Sequence, residues 1–107
     1  MVVDYELNEL KREFLDEARE KVVEMQSALE HVPERDSLDR LAYLAHQLKG
    51  SGGSYVYQRI STDAAELEKV VESLAERDGG DSAEEARIQQ CVLNLQTEID
   101  RAARELE

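Results

Sequence analysis

The stretch Ala45-His46-Gln47-Leu48-Lys49-Gly50-Ser51-Gly52-Gly53-Ser54-Tyr55 decides how the chain is read, because it sets a histidine on a helix beside a lysine and several glycines. With His46 taken as zero on a helical wheel of about 100° per residue, Lys49 falls at about −60°, Gly50 at about +40°, Gly53 at about −20° and Ala42 at about −40°. On the same wheel Leu44, Leu48 and Tyr55 lie at about 160°, 200° and 180°, and Leu41 at about 220°. The apolar face is therefore opposite His46. The imidazole points to solvent, ringed by small residues and one ammonium group.

Each alanine-to-glycine change inside a helix costs roughly 1 kcal/mol, so a glycine-rich stripe here serves something other than helix stability. Close approach by another surface is its natural use, and Lys49 beside the ring suits an anion. A phosphoryl group carried on His46 is the anion that fits. The plain alternative, a solvated or core hydrogen-bonded histidine, is the commoner fate of a lone helical histidine, but the neighbours favour the reactive one.

Outward from this stretch the chain reads as four amphipathic segments. Residues 4 to 31 carry Leu7, Leu10, Phe14, Ala18, Val22, Met25 and Leu29 at spacings of three and four, the period of one helix. Pro33 separates it from a second helix at 37 to 54, which Asp36 or Ser37 is placed to cap. After a tight connection at Ser54 to Tyr57, a third helix at 58 to 77 shows Ile60, Ala64, Leu67, Val71 and Leu74, and stops at Asp78-Gly79-Gly80. Ser82 with Glu85 spells a capping box for a fourth at 83 to 106, with Ala86, Val92, Leu95, Ile99, Ala102 and Leu106. Four such helices with short connections predict an all-α, antiparallel up-down four-helix bundle. No repeat, linker or low-complexity segment interrupts residues 1–107, which read as a single domain.

Composition agrees. A chain of 107 residues buries one core, and with one Phe and no Trp that core must be aliphatic. A formal charge of −12 argues against nucleic acid or an anionic membrane as principal partner. Most acidic residues fall between apolar helix positions, where they form solvated faces. No apolar run is long enough to span a membrane, and Met1-Val2-Val3-Asp4 lacks the basic and apolar regions of a signal peptide, so a cytoplasmic protein is expected. The single cysteine, Cys91, excludes an internal disulfide and reads as a packing residue.

Other chemistries fail on the same residues. Metal sites of bundles need Glu-x-x-His pairs, but Tyr43 and Ala28 stand three residues before His46 and His31. One cysteine and two distant histidines do not make a zinc site. Gly50-Ser51-Gly52-Gly53 lacks the Lys-Ser/Thr and the preceding strand of a phosphate-binding loop. A catalytic triad would need a nucleophile and an orienting acid around a cleft, which a small bundle does not offer.

His46-Gln47-Leu48-Lys49-Gly50-Ser51, with Leu41 and Ala45 before it and Gln58-Arg59-Ile60 and Glu66-Leu67-Glu68 after it, resembles the histidine-containing phosphotransfer (HPt) domains of two-component phosphorelays. The resemblance is strongest across residues 38 to 74. The family commonly has a glycine where this chain has Val56, so packing at the turn into the third helix is expected to differ. The resemblance implies a phosphocarrier rather than an independent enzyme, with His46 as acceptor and Lys49 offsetting the phosphoryl charge. It implies a donor aspartyl phosphate on a response-regulator receiver domain, free or attached to a hybrid histidine kinase, with the magnesium ion held by the receiver. Glu68 falls where a polar side chain of the family often reaches the histidine, and would orient the ring by accepting its N–H. Ala42, Tyr43, Gln47, Gly50 and Gly53 are expected at the docking surface. No cofactor is expected of this chain, and a monomer is. Because ordinary imidazole titrates at about 6.5, a good fraction of such rings has a lone pair ready for an acyl phosphate without a general base. Two other functions compete: a scaffold of the same shape that is never phosphorylated, and the phosphoacceptor module of a larger histidine kinase, against which the starting Met speaks weakly.

Overall fold

A computed structural model describes residues 2–32, 34–52, 57–76 and 82–106, with side chains from residue 7 onward and to residue 50 in the second helix. The described residues form α1 (Val2–Leu29), α2 (Arg35–Gly52), α3 (Gln58–Glu76) and α4 (Ser82–Glu105). α2 packs on α3, α3 on α4, and α1 on both α4 and α2, while among the described residues the diagonal pairs do not meet. The helices thus stand at the corners of a square. Cross-helix bonds show that neighbours run antiparallel: Arg12 Nη2 reaches the Leu106 carbonyl at 3.4 Å, and Gln26 Nε2 donates to Gln96 Oε1 at 3.0 Å. The architecture is the up-down bundle that the four apolar stripes predict.

The core is aliphatic. Leu15, Ala18, Val22 and Met25 of α1 meet Leu38, Leu41, Leu44, Ala45 and Leu48 of α2, and the stripes of α3 and α4 close it with Ile60, Leu67, Leu74, Ile88, Leu95 and Ile99. Full burial of each such Leu or Ile side chain contributes about 1.5–3 kcal/mol. Phe14 and Tyr57, ring centroids 5.4 Å apart and 11° from parallel, stack at the end where α2 hands over to α3. Cys91 packs in the core, and burial pushes its thiol pKa up.

Several local expectations shift. Leu7 and Leu10 are 44% and 62% exposed rather than in the core, and Leu15 holds the buried position instead. The reason is length: α1 has 28 residues, about 42 Å at 1.5 Å per residue, and Arg12 already lies level with Leu106, one residue past the end of α4. The turns before Arg12 overhang the bundle. Ala86 is exposed because it stands about 200° round α4 from buried Ile88. α2 starts at Arg35, two residues early; the Leu38 N–H donates to the Glu34 carbonyl at 3.0 Å, which puts Asp36 and buried Ser37 inside the first turn and not at a cap. α4 likewise begins at Ser82 itself. Pro33, the connection at residues 53–56, which includes Gly53, Tyr55 and Val56, and the stop at residues 77–81 lie outside the described residues.

Candidate functional site

The site is built across the α2–α3 pair. Leu44, Ala45 and Leu48 anchor α2 in the core, and that phase turns His46 outward, its side chain 67% exposed. Leu67, fully buried in α3, sets the neighbouring Glu68 at the seam with α2, where its side chain is 14% exposed. The Glu68 carboxylate spans two residues of α2. Its Oε2 lies 3.0 Å from His46 Nδ1, and its Oε1 accepts from Lys49 Nζ at 2.6 Å.

The electrostatics follow from that geometry. The bond from Lys49, helped by the one to His46, holds the Glu68 pKa below the ordinary carboxylate range against the opposing effect of burial. An ionised carboxylate only accepts, so in the neutral ring it assigns the proton to Nδ1 and leaves the lone pair on Nε2. Lys49 is bonded to Glu68, not standing free beside the ring. One of its three ammonium protons is committed there.

The ground around the ring is open on one side and ordered on the other. Among the described residues, a Cβ added at Gly50 would meet nothing within 4 Å. Ala42 is half-buried and packs against the core. Tyr43 is exposed; Gln47 Nε2 donates to its hydroxyl at 2.9 Å, and the Arg40 guanidinium carbon lies 5.4 Å from its ring centroid. Beneath the site, Ser61 Oγ donates to the Lys49 carbonyl at 2.9 Å and ties the start of α3 to the last turns of α2.

The structure thus brings His46, Lys49 and Glu68 together, with Tyr43, Gln47 and Gly50 around them. The sequence carries no signal for Arg40 and Ser61, because their roles rest on contacts across helices. Among the described residues no group of three or more His, Cys, Asp or Glu is placed to hold a metal ion, and no helix is long and apolar enough to cross a membrane.

The family model of the Hpt domain matches residues 9–105, nearly the whole chain and all of the site. No curated protein and no solved structure matches it. With four helices in the expected order and a match of that extent, the chain belongs to the Hpt domain family, and so to the histidine phosphotransfer of phosphorelays.

Proposed function

We propose that this chain is a phosphocarrier that takes a phosphoryl group on His46 Nε2 from a receiver-domain aspartate and hands it to a second receiver. The observation that carries this is the bond between His46 Nδ1 and Glu68 Oε2 on an exposed helix face, which leaves Nε2 as the nucleophile.

The Nε2 lone pair attacks the phosphorus of the aspartyl phosphate, the bond from phosphorus to the acyl oxygen breaks, and the aspartate leaves as carboxylate. Nε2 carries no proton in this tautomer, so no base takes part. The ring acquires positive charge with its proton still on Nδ1, and Glu68 stands 3.0 Å away to offset it. Lys49 keeps Glu68 ionised, and its two remaining ammonium protons are there for phosphoryl oxygens. Gly50 keeps the approach clear. The reverse reaction uses the same parts, since the positively charged ring is the better leaving group.

Incubation with a phosphorylated receiver tests this. An acid-labile phosphoryl group should appear on the chain and His46→Gln should abolish it. Label that survives the substitution, or that maps to His31, refutes the assignment.

A further inference from the structure

On the side of His46 away from Glu68, four side chains from two helices form a continuous row. Arg40 Nε donates to Glu24 Oε2 of α1 at 3.0 Å, and its Nη2 reaches the same oxygen. The same guanidinium lies over the Tyr43 ring, and Gln47 Nε2 holds the Tyr43 hydroxyl oxygen. An exposed tyrosine ordinarily samples several rotamers. This one is gripped at both the ring and the hydroxyl, although 52% of its surface is open to solvent.

Tyr43 also stands one turn before His46, on the same face of α2, at about 60° from it. A protein surface that brings phosphorus to within about 3–3.5 Å of Nε2 therefore covers Tyr43 as well. Gln47 donates to the phenol oxygen, and among the described residues no acceptor takes the phenol proton. That proton is available to the incoming surface.

Resting on the phosphocarrier reading, we propose that Tyr43 is the specificity-determining anchor for the receiver domain and that Arg40 is a positioning residue that pre-orders it. The fitting partner presents a small apolar depression for the ring with a hydrogen-bond acceptor at its floor. Freezing the ring before encounter removes an ordering penalty that docking would otherwise meet, and a central tyrosine is a common source of binding energy at interfaces. Arg40 touches neither phosphorus nor imidazole, so its effect belongs in KM and not in kcat.

The test uses the full chain and, from a panel of receivers phosphorylated with acetyl phosphate, the one that transfers fastest to the wild type. Phosphoramidate, a small donor that needs no docking, gives a separate measure of His46 reactivity. Tyr43→Ala should raise KM about tenfold and Tyr43→Phe about threefold, the latter through the lost phenol proton. Arg40→Ala should raise KM about fivefold with kcat within about twofold, and Arg40→Lys, which restores a cation over the ring, should recover most of that loss. In the Tyr43→Ala background, Arg40→Ala should add nothing, and phosphoramidate labelling should be the same in every variant. Equal effects of Arg40→Ala in both backgrounds, a parallel fall in phosphoramidate labelling, or an unchanged KM would each overturn the proposal. If wild type takes phosphoryl groups from phosphoramidate but from no receiver, the phosphocarrier reading fails first and this proposal with it.

Discussion

Replacing Gly50 by Gln separates stability from function by opposite signs. Among the described residues nothing lies within 4 Å of a Cβ built at Gly50, so the first atom of the new side chain meets no clash with them. Glycine inside a helix is about 0.8–1.0 kcal/mol worse than alanine and glutamine only slightly worse. Gly50 sits in the last turn of α2, which ends at Gly52, so part of that gain is lost and about 0.5 kcal/mol remains. For a domain of this size that is a rise in Tm of about 2–4 °C. Side chains on a helix lean toward its N-terminus, and the residue one turn back is His46. The introduced amide would hang over the ring where the partner must land, and transfer from a phosphorylated receiver should fall by tenfold or more, about 1.4 kcal/mol in the barrier. Gly50→Ala should share the gain in Tm with a much smaller loss of transfer. Thermal melts and transfer rates on the two variants check this together. A marked drop in Tm would show that Gly50 packs against a neighbour after all, and normal transfer by the Gln variant would remove it from the docking surface.

Glu68→Gln keeps an acceptor for Nδ1 but loses the charge that offsets the positive ring. A water-like dielectric, suited to the exposed ring though Glu68 is largely covered, gives a lower bound of about 1.4 kcal/mol at 3.0 Å, so the transfer rate should fall about tenfold or more; an unaltered rate would show that Glu68 acts on geometry alone. The same residue makes stability depend on acid. Its pKa is lowered from 4.5 in the folded chain, so its contribution is complete well above that value and is lost as pH falls through the lower, folded one. The Tm gap between wild type and Glu68→Gln should therefore close as pH falls from about 5 through that lowered value, and a gap that widens on acidification would contradict the assigned pairing. On the overhang, Leu10→Ser should change stability by no more than about 0.5 kcal/mol in chemical denaturation, whereas Leu67→Ala should cost about 2–5 kcal/mol; comparable losses would mean that the start of α1 is covered.

How far the fold can be read from the chain depends on the range of the interaction concerned. Helix phase is local, so the stripes through Ala18, Leu44, Leu67 and Leu95 mark their buried faces without help from the rest of the molecule. Where a helix ceases to be covered is not local. Leu7 and Leu10 keep the period of α1 faithfully, and only the end of α4 near Leu106 leaves them exposed. Asp36 and Ser37 are good capping residue types and point to a later start for α2, while the carbonyl that opens the helix belongs to Glu34. At the site, the wheel alone gives the outward phase of His46. Glu68 was reachable only through resemblance, since nothing in a 22-residue separation announces a bond between side chains. The engagement of Lys49 by that carboxylate, and of Arg40 by Glu24, depends on how two helices are set side by side, which residue spacing does not encode.

His46 rides on the outer side of a helix whose inner side is locked by Leu44, Ala45 and Leu48, and its ring is steadied by a single carboxylate from the next helix. A group added to Nε2 displaces water and leaves that packing untouched. On the phosphocarrier reading, the charged and discharged forms then share one shape, and the message is stored as charge, a doubly negative phosphoryl group on a ring that has become positive, rather than as a conformation. A partner that must tell the forms apart has only that charge to sense, so discrimination should weaken as salt is raised, while amide exchange in the core stays the same in both.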